Sequence, residues 1–222
     1  MRILALDSAT SACSVAVFCD DEVIAHGYEE MSRGQAETLI PMVADAMSAA
    51  GLEFDALDAI AVTMGPGAFT GVRIGLSTAQ SLALAADKPL VGVTTLEAVF
   101  AAQGQASAPF LVALDTKRTD IYLQLFDSDG EALTEPLAVE EDKISMAVSM
   151  HGIGVVGDAA DRAARALNKA GIAAKRHCGP MLPDAFWVAR IAAGRFSAGD
   201  LVPVEPIYLR APDVGSLPKP IA

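Results

Sequence analysis

The feature that most constrains this chain is that its first pattern of strands is written twice. Residues 3–7 (ILALD) lead to an apolar run at 14–19 (SVAVFC), an Asp20-Asp21 turn, and a third run at 22–26. The pattern returns 108 positions later, where residues 111–115 (LVALD) lead to 122–126 (YLQLF), a turn at 127–130 and another apolar stretch. Asp115 then stands where Asp7 stood, and Phe126 where Phe18 stood. Short apolar runs bounded by Asp and Gly predict three successive strands in each half. A period this long exceeds that of solenoid repeats, so it points to duplication of a domain of about a hundred residues. The alternative is two unrelated hairpins.

The segments that follow extend the first half. Ala36, Leu39, Ile40, Val43, Ala44, Met47 and Ala50 recur at helical spacing up to Gly51, a glycine C-cap, and Pro41 is expected in or near the first turn. Residues 58–64 (DAIAVTM) read as a strand buried on both faces. A Gly- and Pro-rich loop then opens a helix over 70–86, followed by a strand at 90–93 and a short helix begun by a Thr94/Glu97 capping box. In the second half we expect a helix over 140–150, a strand at 152–156, and helices over 159–170 and 184–193. Residues 103–109 are the natural junction, giving lobes of 1–104 and 105–222. The second lobe ends in a Pro-rich tail in which Tyr208, Leu209 and Arg210 dock and the last residues fray.

Composition narrows the function. With 52% hydrophobic but only 5% aromatic residues, the core must be made of small, closely apposed side chains. A net charge of -12 repels phosphate backbones, so the chain is not built to grip RNA alone. Cys13, Cys19 and Cys178 have neither zinc-site spacing nor an even count, which fits a reducing, cytoplasmic setting. No apolar run reaches the roughly 20 residues of a membrane span, and the first residues lack the charge pattern of a leader.

Three groups of residues are candidates for chemistry. The loop Gly65, Pro66, Gly67, Ala68, Phe69, Thr70, Gly71, Val72, Arg73 lies between a buried strand and a helix start, where backbone N–H groups can receive an anion. It is not a P-loop, and its glycines equally suit a tight turn with close helix packing. Asp7, Ser8 and Thr10 follow the first strand, as Asp115, Thr116, Lys117 and Arg118 follow its repeat. Paired turns of this kind can face phosphates or their metal across a cleft, or simply cap their strands. Both lack the glycine that lets a phosphate lie against the turn. His26, His151 and His177 lie in no nucleophile or metal-ligand pattern, so no metal site and no catalytic residue is assigned. The two first-lobe helices carry small or apolar residues around much of their circumference, which suits either sheet packing or a hydrophobic interface.

Six segments in order complete the reading: ILALDSATSACSVAV, RGQAETLIP, DAIAVTMGPGAFTGVRIG, PLVGVTTLEAV, VALDTKRTDIYLQLF and PIYLR. Together they resemble the TsaB (YeaZ) family over nearly the whole chain. The resemblance implies an α/β chain of two RNase H-like (actin-like, ASKHA) lobes related by duplication, each a mixed sheet flanked by helices. It implies a cytoplasmic, non-catalytic subunit of the machinery that makes threonylcarbamoyladenosine beside the tRNA anticodon. The partners would be the transferase TsaD and the ATPase TsaE, with tRNA reached only through the complex, no membrane contact, and a homodimer when the chain is alone. Contact with TsaD would run through Leu39, Ile40, Val43, Met47, Ile74, Thr78, Ala79 and Leu82. Gly65, Pro66, Gly67, Phe69, Thr70, Gly71 and Arg73 would be the family loop, with no catalytic task. No cofactor of the chain's own is implied. ATP or ADP would sit at the shared interface, near Asp7, Ser8, Thr10, Lys117 and Arg118. TsaD carries a metal-binding pair of histidines on its first helix. The matching stretch 33–41 has none, and Gln35 stands where TsaB relatives often keep a histidine. An independent kinase or ATPase of the same fold is the competing reading.

Overall fold

The structure, a computed structural model, describes residues 1–104 and 108–210. Both halves build a five-stranded mixed sheet with one topology. The first contains β1 (Arg2–Asp7), β2 (Ala12–Cys19), β3 (Glu22–Glu30), β4 (Ala59–Thr63) and β5 (Leu90–Val93), ordered β3-β2-β1-β4-β5. The second contains β6 (Phe110–Asp115), β7 (Asp120–Phe126), β8 (Leu137–Glu140), β9 (Ile153–Val156) and β10 (Ala174–Arg176), ordered β10-β9-β6-β7-β8. In each, three antiparallel strands come first and two parallel strands extend the other side. Asp7 ends β1 and Asp115 ends β6, so the sequence repeat is a structural one.

Helices cover the sheets. One face of the first sheet packs against α1 (Gln35–Ala50) and α2 (Phe69–Ala86), which place Leu39, Val43, Met47, Leu76 and Ala79 against Leu4, Leu6, Val15 and Val62. α1 ends at Gly51 with φ 64°, the left-handed cap conformation that glycine adopts without steric cost. Thr94 accepts from the Glu97 N–H at 3.0 Å while the Glu97 carboxylate accepts from the Thr94 N–H at 2.8 Å, starting α3 (Thr95–Ala101) at the expected capping box.

The other face of the first sheet is covered from an unexpected place. α6 (Ala185–Ala198), expected within the second lobe, lays Ala185, Val188, Ala189 and Ala192 on Ile3, Ala5, Ala16 and Ala61. Small side chains on both surfaces allow the close approach that the low aromatic content demanded. α3 makes the reciprocal crossing: Leu96, Val99 and Phe100 pack on Phe110, Val112 and Phe126 of the second sheet, with Phe100 and Phe126 stacked at 4.8 Å. The expected boundary at 104/105 therefore divides the sheets but not the cores, and residues 105–107 at the junction lie outside the described residues.

Three further expectations change. Pro41 is the seventh residue of α1, in its second turn, because the helix starts at Gln35, one residue before the apolar pattern; Pro41 is exposed. The helix expected over 140–150 is a 3-10 turn (Glu141–Lys143) and a single turn α4 (Ile144–Ala147). Its inward anchors are only Ile144 and Val148, and Val148 has already left helical geometry. β10 was not foreseen, since a three-residue edge strand of Ala, Lys and Arg has no apolar alternation to read. The remaining helix, α5 (Ala160–Lys169), lies where expected.

A fragment ending at residue 104 lacks α6 and leaves the Ile3, Ala5, Ala16 and Ala61 surface open to water. We expect it to aggregate or bind a hydrophobic dye, whereas a fragment ending at residue 210 gives a cooperative thermal transition by circular dichroism.

Candidate functional site: the cleft between the lobes

The two Asp-ended strands point their following turns toward one cleft of about 460 Å³, lined by Thr10, Gln35, Thr70, Asp115, Lys117 and Asp158 among others. The two turns are built differently. Asp7 is fully buried, with Oδ1 accepting from the Thr63 hydroxyl at 2.6 Å and the Ala9 N–H at 3.2 Å, while Oδ2 has no partner. Burial pushes its carboxyl up to about 7, against the two hydrogen bonds, which favour the charged form. Ser8, also buried, donates to the Gly71 carbonyl at 2.9 Å.

The Gly-rich loop is what seals this turn. Ala68 N–H donates to the Ala9 carbonyl at 2.8 Å, and a Cβ added at Gly67 or Gly71 would lie 2.1 Å from the Ala9 carbonyl oxygen or 2.2 Å from that of Ser8. The loop's glycines thus permit backbone-to-backbone contact with the first turn. Asp7 and Ser8, expected beside a nucleotide, lie behind the loop and away from the cleft surface. Thr10 lines the cleft, and its carbonyl accepts from the Gln35 side chain at 3.2 Å, so Gln35 ties the start of α1 to the first turn.

The second turn is open but its charges are internally matched. The Arg162 guanidinium donates to Asp115 at 2.8 Å and pairs with Glu141, and it also reaches the Arg118 carbonyl at 3.0 Å. Asp158 accepts from the Asp115 N–H at 2.7 Å, and burial pushes its carboxyl up. Lys117, in the left-handed region at φ 61°, places its ammonium 3.4 Å from Asp115 and 3.8 Å from Asp158. Among the described residues, no group of three or more His, Cys, Asp or Glu is arranged to hold a metal ion.

The tail docks on the first lobe and on Asp120, as PIYLR suggested. Ile207 N–H donates to the Met64 carbonyl at 2.8 Å, Arg73 Nε donates to the Tyr208 hydroxyl at 2.9 Å, and Arg210 pairs with Asp120 at 2.8 Å. The Arg73 guanidinium lies 3.7 Å above the Phe69 ring, which itself stacks near Tyr208 at 5.3 Å. Sequence reasoning gave Phe69 and Arg73 only as loop residues; the aromatic in a Pro-flanked tail was the signal for their partner. The last residues, 211–222, lie outside the described residues.

The contact surface needs correction. Leu39, Val43, Met47 and Ala79 are buried in the first lobe's own core, because the apolar stripe at helical spacing is the stripe that meets the sheet. Ile40 is exposed, Ile74, Thr78 and Leu82 are half-buried, and Leu84, which the sequence reading passed over, is 86% exposed.

Duplicated sheets, an interlobe cleft and turns at the ends of equivalent strands define the class: a two-lobed actin-like α/β fold whose first turn is packed against its own Gly-rich loop. The comparisons agree. Residues 28–179 match the family model described as TsaD, tRNA N6-adenosine threonylcarbamoyltransferase. The chain is 35% identical to the Escherichia coli tRNA threonylcarbamoyladenosine biosynthesis protein TsaB, covering 95% of each. It superposes on a Pseudomonas aeruginosa protein described as similar to peptidase YEAZ with a TM-score of 0.81 at 28% identity, covering 94% of this chain and 99% of that one. The Clostridium difficile activator of 2-hydroxyisocaproyl-CoA dehydratase shares the fold alone, with a TM-score of 0.50 at 11% identity, over 92% of this chain and 100% of that one. The chain belongs to the TsaB (YeaZ) family.

Two outcomes follow from the sealed turn. Because the folded-state value of Asp7 lies near 7 and its ordinary value is 3.8, the native state holds a proton that the unfolded chain releases. Its stabilising effect is therefore full below about pH 4 and is lost as pH rises through about 7, a change on the order of 4 kcal/mol. Asp7→Asn should flatten this dependence, raising the melting temperature relative to the parent more at pH 8.5 than at pH 5. Gly71→Ala should destabilise the fold by more than about 2 kcal/mol in urea unfolding, since the contact it meets is backbone.

Proposed function

We propose that this chain is the non-catalytic scaffold subunit of the tRNA threonylcarbamoyladenosine modification complex, acting in the cytoplasm. The reading rests on full-length similarity to a TsaB protein, together with one structural observation: Asp7, the carboxylate an actin-like enzyme would direct at a metal-bound nucleotide, is buried behind Gly67 and Gly71. The equivalent Asp115 is paired with Arg162 and Lys117.

In this reading the exposed shoulders of α1 and α2 meet TsaD, with Ile40, Ile74, Leu82 and Leu84 as the apolar contacts and Phe69, Arg73 and Tyr208 as a rigid aromatic and guanidinium cluster at the end of α2. TsaE joins the assembly at that junction, tRNA is reached only through it, and ATP or ADP binds at the shared interface rather than to this chain alone. Without its partner, the same apolar shoulder supports a homodimer. No helix among the described residues is long and apolar enough to cross a membrane.

Light scattering after size exclusion should show a stoichiometric complex with the cognate TsaD. The double variant Ile40→Glu, Leu84→Glu should abolish that complex while leaving circular dichroism unchanged, because both positions are exposed. The chain alone should hydrolyse ATP no faster than buffer. Metal-dependent turnover abolished by Asp7→Ala would overturn the scaffold reading and favour a kinase or ATPase.

A further inference from the structure

A second surface lies on the other shoulder of α1. β3 is an edge strand of the first sheet, hydrogen-bonded to β2 on one side only. Its register slips at Ile24, a bulge that bends the strand there and leaves Ala25 to Glu30 as the regular, unpaired edge. Between this edge and α1 runs an open groove of about 670 Å³.

The groove has a definite chemistry. Its floor is apolar, formed by Met42 and Ala46, and is kept open by Gly27, whose added Cβ would meet Met42 Cγ at 3.0 Å. Its walls carry three carboxylates, Glu29 from the strand and Glu37 and Asp45 from α1, and neither lysine nor arginine lines it.

We infer that this edge and groove bind an extended basic segment of a partner protein by strand addition. Backbone N–H and C=O groups of the segment pair with the Ala25–Glu30 edge, and alternate Lys or Arg side chains reach the three carboxylates. A second copy of this chain fits less well. Its own β3, Glu22–Glu30, contains no Lys or Arg and would bring Glu29 into a groove that is already acidic. The surface is separate from the Ile40 and Leu84 shoulder, so its test is independent of the scaffold reading.

The probe is an acetylated, amidated heptapeptide, Lys-Val-Lys-Val-Lys-Val-Lys, with its Glu-for-Lys counterpart as control, each titrated into the full-length chain. Calorimetry gives affinity, and amide hydrogen exchange locates the contact. We expect the basic peptide to bind and to slow exchange at residues 25–30, the acidic peptide to do neither, and the surface variant Glu37→Lys, Asp45→Lys to weaken binding at least tenfold without altering the melting transition. Absence of binding at millimolar peptide, equal binding of both peptides, or protection elsewhere would overturn the proposal. Protection of residues 25–30 that grows with protein concentration alone would overturn it in favour of self-pairing.

Discussion

The structure depends on an exchange of helices between its two halves. α3 leaves the first sheet to fill the core of the second, and α6 returns from the second half to close the first. Each sheet is therefore finished by the other's sequence, and the burial that stabilises one lobe fixes its position relative to its neighbour. The crossing is held by charge as well as by packing, since Arg195 on α6 pairs with Glu97 on α3 and donates to the Gly92 carbonyl at 2.6 Å. The docked tail adds a further tie by joining the end of β4 to Asp120.

Within that frame the first and second turns have diverged despite their common origin. In the first, Gly67 and Gly71 of the loop lie against the carbonyls of Ala9 and Ser8, and an acid is left underneath with one oxygen unpartnered. In the second, the acid is exposed to the cleft but neutralised by an arginine and a lysine. The first turn is closed by packing and the second by ion pairs.

Much of this was legible in the sequence because it was local or periodic. The repeated strands, the Thr94 capping box and the Gly51 terminus are each written in a few adjacent residues, and all stand where expected. The family loop was found by motif, but its role was not, because the atoms that fix Gly67 and Gly71 are carbonyls of Ala9 and Ser8, more than fifty residues away in sequence. The same limit explains the misplaced contact residues. Leu39, Val43, Met47 and Ala79 have the spacing of a buried stripe, yet spacing alone cannot say whether the stripe meets a sheet or a partner. The crossing of α6 was illegible for a related reason: an alanine-rich helix suits either sheet, and only the absence of another cover for Ile3, Ala5 and Ala16 decides which.

That crossing also sets an order in time. A chain emerging from the ribosome completes the strands of its first sheet by Val93, but the helix that covers their open face begins only at Ala185. At synthesis rates of about 5–20 residues per second, roughly 5 to 20 seconds pass with a formed or forming sheet exposed on one side. That face carries Ile3, Phe18, Val91 and Val93 beside its alanines, so the waiting surface is apolar and adhesive. The alanines that allow α6 to settle closely at the end thus leave, until it arrives, a face that the growing chain must keep apart from other chains.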